Sequence, residues 1–278
     1  MNEILIFIIA AVIQGILEWL PVSSQAFLIL IFLAFGVSPS QALVLSVIFH
    51  LPTALASIAY FRKEYSQALR DVTEGVITFR LRLIVITTLV SGIVAVSLYL
   101  MLKTLFIVFE EHIESASILV MIIIGALMTL VGSLLKGQKN IGTRLLAEVN
   151  KRDSIFIGVL QGFAVLPGVT RSGVTLASFL YRKFDKSESL RGTFLLAGPI
   201  SILAFLFSVL VEEIQWQIFA LNITLAITIC FLISIITMKY LIKLAGKLNY
   251  AKFLELFGLI MLTASILSFY VRNYVTVQ

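Results

Sequence analysis

Six stretches of this sequence are apolar for long enough to cross a lipid bilayer: residues 41–61, 82–102, 116–135, 192–211, 217–238 and 253–271. A helix needs about 20 residues to span the hydrocarbon core. No water reaches that core, so a spanning segment must satisfy its own backbone N–H and C=O groups. Composition agrees: 60% of residues are hydrophobic and 13% charged, where a soluble domain carries about 25% charged. The sequence predicts an all-α polytopic membrane protein with six transmembrane helices.

Two further regions are apolar but interrupted. Residues 4–35 and 154–182 each hold two shorter apolar pieces split by a polar motif. The motifs resemble each other. The first is QGILEWLPVSSQAFLIL, from Gln14 to Leu30; the second is QGFAVLPGVTRSGVTLA, from Gln161 to Ala177. Each opens on Gln-Gly, runs to Leu-Pro and then places hydroxyl residues just past the proline. Pieces this short suit re-entrant helical hairpins that dip into the membrane and return. One hairpin plus three spans then occurs twice, and an odd number of crossings inverts the second copy. The expected organisation is a first repeat over 1–135, a cytoplasmic linker over 136–153 and a second, inverted-topology repeat over 154–278. Folds of this kind place their site near the midplane, between the repeats.

Charge gives the orientation. The formal net charge is +6, which loops account for better than nucleic acid does. With the spans as assigned, 18 of the 21 basic residues fall on one side, from Arg62 and Lys63 to Lys247 and Lys252. The other side holds Lys103, Arg272 and the acidic ends Glu110, Glu111, Glu114, Glu212 and Glu213. By the positive-inside rule the basic side is the cytoplasm, so both termini are expected outside. The first hairpin then enters from outside and the second from inside. Beside His112, the acidic cluster reads as an external face rather than a metal site. Cys230 is the single cysteine, which excludes a disulfide framework. Only Glu3 charges the first residues, and no removed signal peptide is expected.

The polar residues inside the apolar regions carry the chemistry. Glu18 stands among Leu17, Trp19 and Leu20, where a carboxylate calls for a cavity or a cation. Gln14 is four residues earlier, on the same helix face. Pro21 breaks the helix, and Ser23 and Ser24 start the next piece, either as plain caps or as part of an anion site. In the second motif Leu166, Pro167 and Gly168 open the backbone, and Thr170, Arg171, Ser172 and Gly173 begin a new half-helix. Arg171 is a planar cation suited to bidentate recognition of phosphate oxygens. If the hairpins meet, Glu18 and Arg171 share one cavity, as a structural pair or as one that an anionic substrate displaces. His50 is either functional or an interhelical hydrogen bonder.

These residues resemble the undecaprenyl-diphosphate phosphatase family, also known for bacitracin resistance. Its first motif, (E/Q)xxxE leading into PxSSxxH, is matched by Gln14, Glu18, Pro21, Ser23 and Ser24. Its PGxSRSGxT motif is matched from Pro167 to Thr175, with Thr170 for the usual Ser. The resemblance implies a membrane hydrolase that takes one phosphate from a polyprenyl diphosphate, recycling a lipid carrier for envelope glycan synthesis. It implies a divalent cation, Mg²⁺ or Ca²⁺. Glu18 would be metal ligand or general base, Ser24 nucleophile or phosphate-binding hydroxyl, and Arg171 the diphosphate clamp. Thr170, Ser172 and Thr175 would support it. The sequence departs from the family at Gln14, where an acid is common, and at Phe27, which replaces its histidine. His50 is the candidate substitute. The second reading is a polyprenyl-phosphate transporter or flippase. Expected partners are the lipid substrate and the bilayer, with homodimer formation open.

Overall fold

The computed structural model describes residues 3–108, 142–166, 169–211 and 221–245, plus short runs within 122–133 and 252–270. Glu110, Glu111, His112, Glu114, Pro167 and Gly168 lie outside the described residues, as do Glu212 and Glu213 and much of the expected spans 116–135 and 253–271. The helices are α1 (Glu3–Leu17), α2 (Ser24–Ala34), α3 (Pro39–Ile48), α4 (His50–Tyr60), α5 (Arg62–Thr73), α6 (Phe79–Leu81) and α7 (Thr87–Val108), followed by α8 (Lys151–Gly162), α9 (Arg171–Tyr181), α10 (Lys186–Val211) and α11 (Leu221–Leu244). Among the described residues every longer element is helical. A lone β-bridge joins Arg144 to Phe184.

Among the described residues, four stretches are long and apolar enough to cross a membrane: Gln41–Tyr60, Phe79–Met101, Lys186–Leu210 and Ile223–Leu244. They answer to four of the six expected spans. The third starts six residues before the expected 192 because its first turn is charged, and an apolar window misses it. Asp185 Oδ1 caps that turn, accepting from Ser187 N at 2.8 Å and Glu188 N at 3.2 Å.

Both interrupted regions fold as helix, break, helix. In the first, Pro21 follows the end of α1 and Ser23 caps α2, its Oγ accepting from Ala26 N at 3.4 Å. Phe7, early in α1, lies 6.1 Å from Phe32, late in α2, so the chain returns to the end it left. In the second, Asn150 caps α8 and the Thr170 hydroxyl caps α9. Here too the ends meet. Asp153, in the first turn of α8, accepts from Arg182 Nε at 2.6 Å, just past α9. It also takes a two-pronged contact from Arg144, at 2.7 and 3.2 Å.

The packing is reciprocal. α1 of the first hairpin lies along α11, while α8 of the second lies along α7, and α4 and α10 pack at the centre. The paired Gln-Gly starts show why. A Cβ on Gly15 would sit 2.8 Å from Ile233 of α11, and one on Gly162 would sit 2.6 Å from Val94 of α7. In membranes, where dispersion and close backbone approach drive helix association, glycine at such crossings is the expected solution.

The two central helices each carry a buried or enclosed proline. Pro199 lies inside α10. It has no N–H for the carbonyl four residues earlier, that of Leu195. The Tyr65 hydroxyl donates to that carbonyl instead, and Ser57 Oγ donates to the neighbouring Phe194 carbonyl at 2.7 Å. Tyr65→Phe therefore strands a carbonyl of a residue only 3% exposed, at a cost of about 1–3 kcal/mol. A lower thermal midpoint in detergent checks this; an unchanged midpoint would mean another donor takes over.

Candidate active site at the meeting of the two helix breaks

The two breaks converge on Glu18. Because α1 ends at Leu17, Glu18 sits on the turn that precedes Pro21, 6% exposed. Four groups from three parts of the chain surround its carboxylate. Gln14 Nε2 donates to Oε2 at 3.0 Å from one turn back on α1. Ser24 Oγ, in the first turn of α2, donates to the same oxygen at 2.7 Å. Arg171, at the start of α9, donates to Oε1 at 2.7 Å. His50 Nε2 stands 3.5 Å from Oε2.

Local structure aims each of them. Helix α3 stops at Phe49 and α4 restarts at His50, two residues before buried Pro52. The His50 ring turns back so that Nδ1 lies 2.8 Å from the Ser46 carbonyl. A carbonyl only accepts, so Nδ1 carries a proton and Nε2 faces Glu18. The Arg171 side chain is 13% exposed and also donates to the Thr193 carbonyl at 3.3 Å. A guanidinium and a carboxylate this deep need each other, since either one alone would be an unpaired buried charge.

The breaks are also tied to one another. Ser172 Oγ donates to the Leu20 carbonyl at 2.6 Å and lies 2.9 Å from Thr170 Oγ1. Thr170 lines the cavity with Ser23 and Ser172. Thr175 stands behind them: fully buried, its hydroxyl lies 2.7 Å from the Arg171 carbonyl and 3.0 Å from Gln161 Oε1, two acceptors for its single proton. Gln161 in turn reaches Ser91 Oγ of α7 at 3.4 Å. Sequence reasoning missed Gln161 and Ser91. Gln161 could have been found as the counterpart of Gln14; Ser91 carries no signal within its apolar span. Phe27 is 48% exposed, and the cavity lining does not include it.

The cavity over these groups holds about 460 Å³. One end is polar, with Glu18, Ser24, His50 and Arg171. From there it extends between α7 and α10 along apolar side chains to Tyr99 and Phe207, whose rings meet edge to face at 5.2 Å. Such a shape accepts an anionic head with an apolar tail. For a divalent cation, no group of three or more His, Cys, Asp or Glu lies together among the described residues. Gln14 Oε1, however, is buried without a hydrogen-bond partner among the described residues, on the amide whose Nε2 donates to Glu18 Oε2. A carboxylate and an amide oxygen are the hard donors that Mg²⁺ and Ca²⁺ take, and Mg²⁺ draws its remaining ligands from water and substrate phosphate. The residues present fit the cation.

Comparison with known proteins agrees. The family described as "Bacitracin resistance protein BacA" matches residues 7–266. A protein of Methanopyrus kandleri named "Undecaprenyl-diphosphatase" is 32% identical over 260 residues, covering 90% of this chain and 92% of its own. Proteins of the same name from Methanococcoides burtonii and Haloarcula marismortui are each 30% identical, covering 88% and 93% of this chain and 92% and 96% of their own. With both motifs gathered at one cavity and the match running nearly end to end, this chain belongs to the bacitracin resistance protein BacA family.

Proposed function

We propose that the protein hydrolyses an undecaprenyl-type polyprenyl diphosphate to the monophosphate and inorganic phosphate, recycling a lipid carrier for envelope glycan synthesis. The observation that carries this is the Arg171–Glu18 pair where the two helix breaks meet, at the polar head of a cavity with an apolar tail. In the free protein the pair is neutral. An entering diphosphate takes the guanidinium and the hydroxyls of Ser23, Thr170 and Ser172, which releases Glu18 from Arg171. Glu18 still holds the Ser24 proton through the 2.7 Å bond. Ser24 Oγ then attacks the terminal phosphorus and passes its proton to Glu18, and the prenyl monophosphate leaves with that proton, which returns Glu18 to the carboxylate. Water, deprotonated at the same carboxylate, releases phosphate from the serine. Phosphoryl transfer needs mainly positioning and charge neutralisation, and fixed donors at the head of the cavity supply both.

Glu18 and Gln14 Oε1 would hold Mg²⁺ or Ca²⁺, which supplies further neutralisation of phosphate charge when bound. His50, with its tautomer held by Ser46, takes the place the family gives to the histidine replaced by Phe27. It orients the Glu18 carboxylate and shares its proton.

The reading includes six spans and two re-entrant hairpins in an inverted-topology repeat, with both termini and the site facing outside. The reciprocal packing of α1 on α11 and α8 on α7, and the meeting ends of each hairpin, support it. The same reciprocity favours the second reading, a polyprenyl-phosphate flippase, in which the paired hairpins would rock about the site.

Inorganic phosphate release from a prenyl diphosphate, by the detergent-purified protein with Mg²⁺ or Ca²⁺, tests the proposal. Steady release is expected. Movement of prenyl phosphate across proteoliposomes without any release would select the flippase. His50→Ala should slow release by about 10²-fold, the usual share of a positioned acid–base group; full activity would remove His50 from the reaction.

A further inference from the structure

A second cavity, of about 360 Å³, lies where α4 passes into α5 and faces the first turns of α10. Tyr60, Phe61, Arg62, Lys63, Glu64 and Arg191 line it, with Ile242 of α11 beside them. It is separate from the Glu18 cavity and shares none of its lining residues.

The charge of this cavity is unbalanced. Arg191 is paired with Glu64, which ties up the carboxylate in the lining. Arg62 and Lys63 have no carboxylate partner among the described residues. They also open α5, whose first turn no side chain caps, and an uncapped helix start favours an anion. The rings of Tyr60 and Phe61, 4.9 Å apart, give the cavity an apolar wall.

Helix α5 sets its depth. Arg62, Lys63 and Arg70 share that helix with Leu69, 69% exposed, and Val72, 57% exposed; Val76 and Ile77 follow, at 50% and 70%. Basic residues alternating with exposed apolar ones on a short helix fit a segment lying in the headgroup layer. An anion reaching this cavity at that depth comes with a lipid attached. Basic pockets between helices at this level are the usual receivers of anionic headgroups.

We propose that this cavity binds the phosphate of an anionic membrane lipid, at a site separate from the Glu18 cavity. The ligand chemistry is a phosphate ester on an apolar chain, from either a phospholipid or a prenyl monophosphate. The site stands apart from the hydrolytic reading, and its test does not use hydrolysis.

Native mass spectrometry of the full chain in detergent, with phosphatidylglycerol, a prenyl monophosphate, phosphatidylcholine or inorganic phosphate added singly, reads it. The protein should retain phosphatidylglycerol or the prenyl monophosphate over phosphatidylcholine, and whichever is retained identifies the source. The double variant Arg62→Ala, Lys63→Ala should weaken retention roughly twentyfold, with the thermal midpoint unchanged. Arg70→Ala, on the same helix but outside the cavity lining, should leave it as it was. Three results would overturn the proposal: no preference over phosphatidylcholine, retention of inorganic phosphate alone, or an equal loss in Arg70→Ala, which would show diffuse surface charge.

Discussion

Arg171→Ala should lower phosphate release by about 10³-fold, the low end of what a charge-stabilising arginine contributes to phosphoryl transfer. Arg171 sits at the first residue of α9, and its guanidinium is the cation that lines the cavity beside Glu18. Arg171→Lys keeps the charge but loses the planar fork, so it should recover part of the rate and none of the bidentate geometry. The Glu18 arm uses Glu18→Gln rather than alanine. Removing the carboxylate outright would leave a guanidinium that is 13% exposed without a partner and confuse activity with folding. Glu18→Gln should also lose about 10³-fold, since the amide accepts no proton from Ser24. Because the two act as one unit, the double variant should be little worse than either single one. Each variant is assayed for phosphate release with its thermal midpoint recorded alongside. A folded Arg171→Ala protein that releases phosphate at the normal rate would remove the site from the proposed chemistry.

What the sequence made legible follows from which interactions are local. The spans Gln41–Tyr60 and Ile223–Leu244 are uniform apolar runs, and their extent is plain. Gln14 and Glu18 lie one helical turn apart, so their contact follows from spacing alone. Thr170 and Ser23 cap the helices that their positions after proline predicted. That Glu18 meets Arg171, 153 positions away, followed only from the symmetry of the two motifs. The bond between Tyr65 and Leu195 has no such guide. It depends on Pro199 freeing a carbonyl and on α5 lying beside α10, neither of which any periodicity announces. Ser91 is equally silent, one hydroxyl in an apolar helix that becomes meaningful only when α8 brings Gln161 against it. The stretch from Arg144 to Asn150 lies within the segment expected to link the repeats. It is held in place by Arg144 exchanging backbone hydrogen bonds with Lys183 and Asp185, at 3.2 and 2.9 Å.

That stretch leads to the second large effect. Asp153→Ala should lower stability by about 3 kcal/mol, a fall of roughly 8 °C in thermal midpoint for a chain of this size. The Asp153 side chain is wholly buried, while Arg144 and Arg182 keep 27% and 34% of theirs exposed. Deleting the carboxylate leaves two cations facing each other across the closed end of the second hairpin, with water screening only their outer sides. Arg144 is further held over the Phe184 ring at 4.3 Å, so it does not swing freely away. The same cluster predicts a pH dependence. Burial pushes the Asp153 carboxyl up, but hydrogen bonds from Arg144, the Asn150 N–H and Arg182 outweigh it and hold the group below its ordinary value. A carboxyl lowered by folding contributes its stability above the unfolded pKa, about 3.9, and loses it as pH falls through the folded value. The midpoint of the wild-type protein should therefore drop below about pH 4, and that of Asp153→Asn should be flatter there. Phosphate release from Asp153→Ala at neutral pH should fall as well, because the hairpin that Asp153 closes is the one that presents Arg171. If the variant melts and turns over like the wild type, the ends of that hairpin are held by its apolar packing alone and the ion cluster is surface decoration.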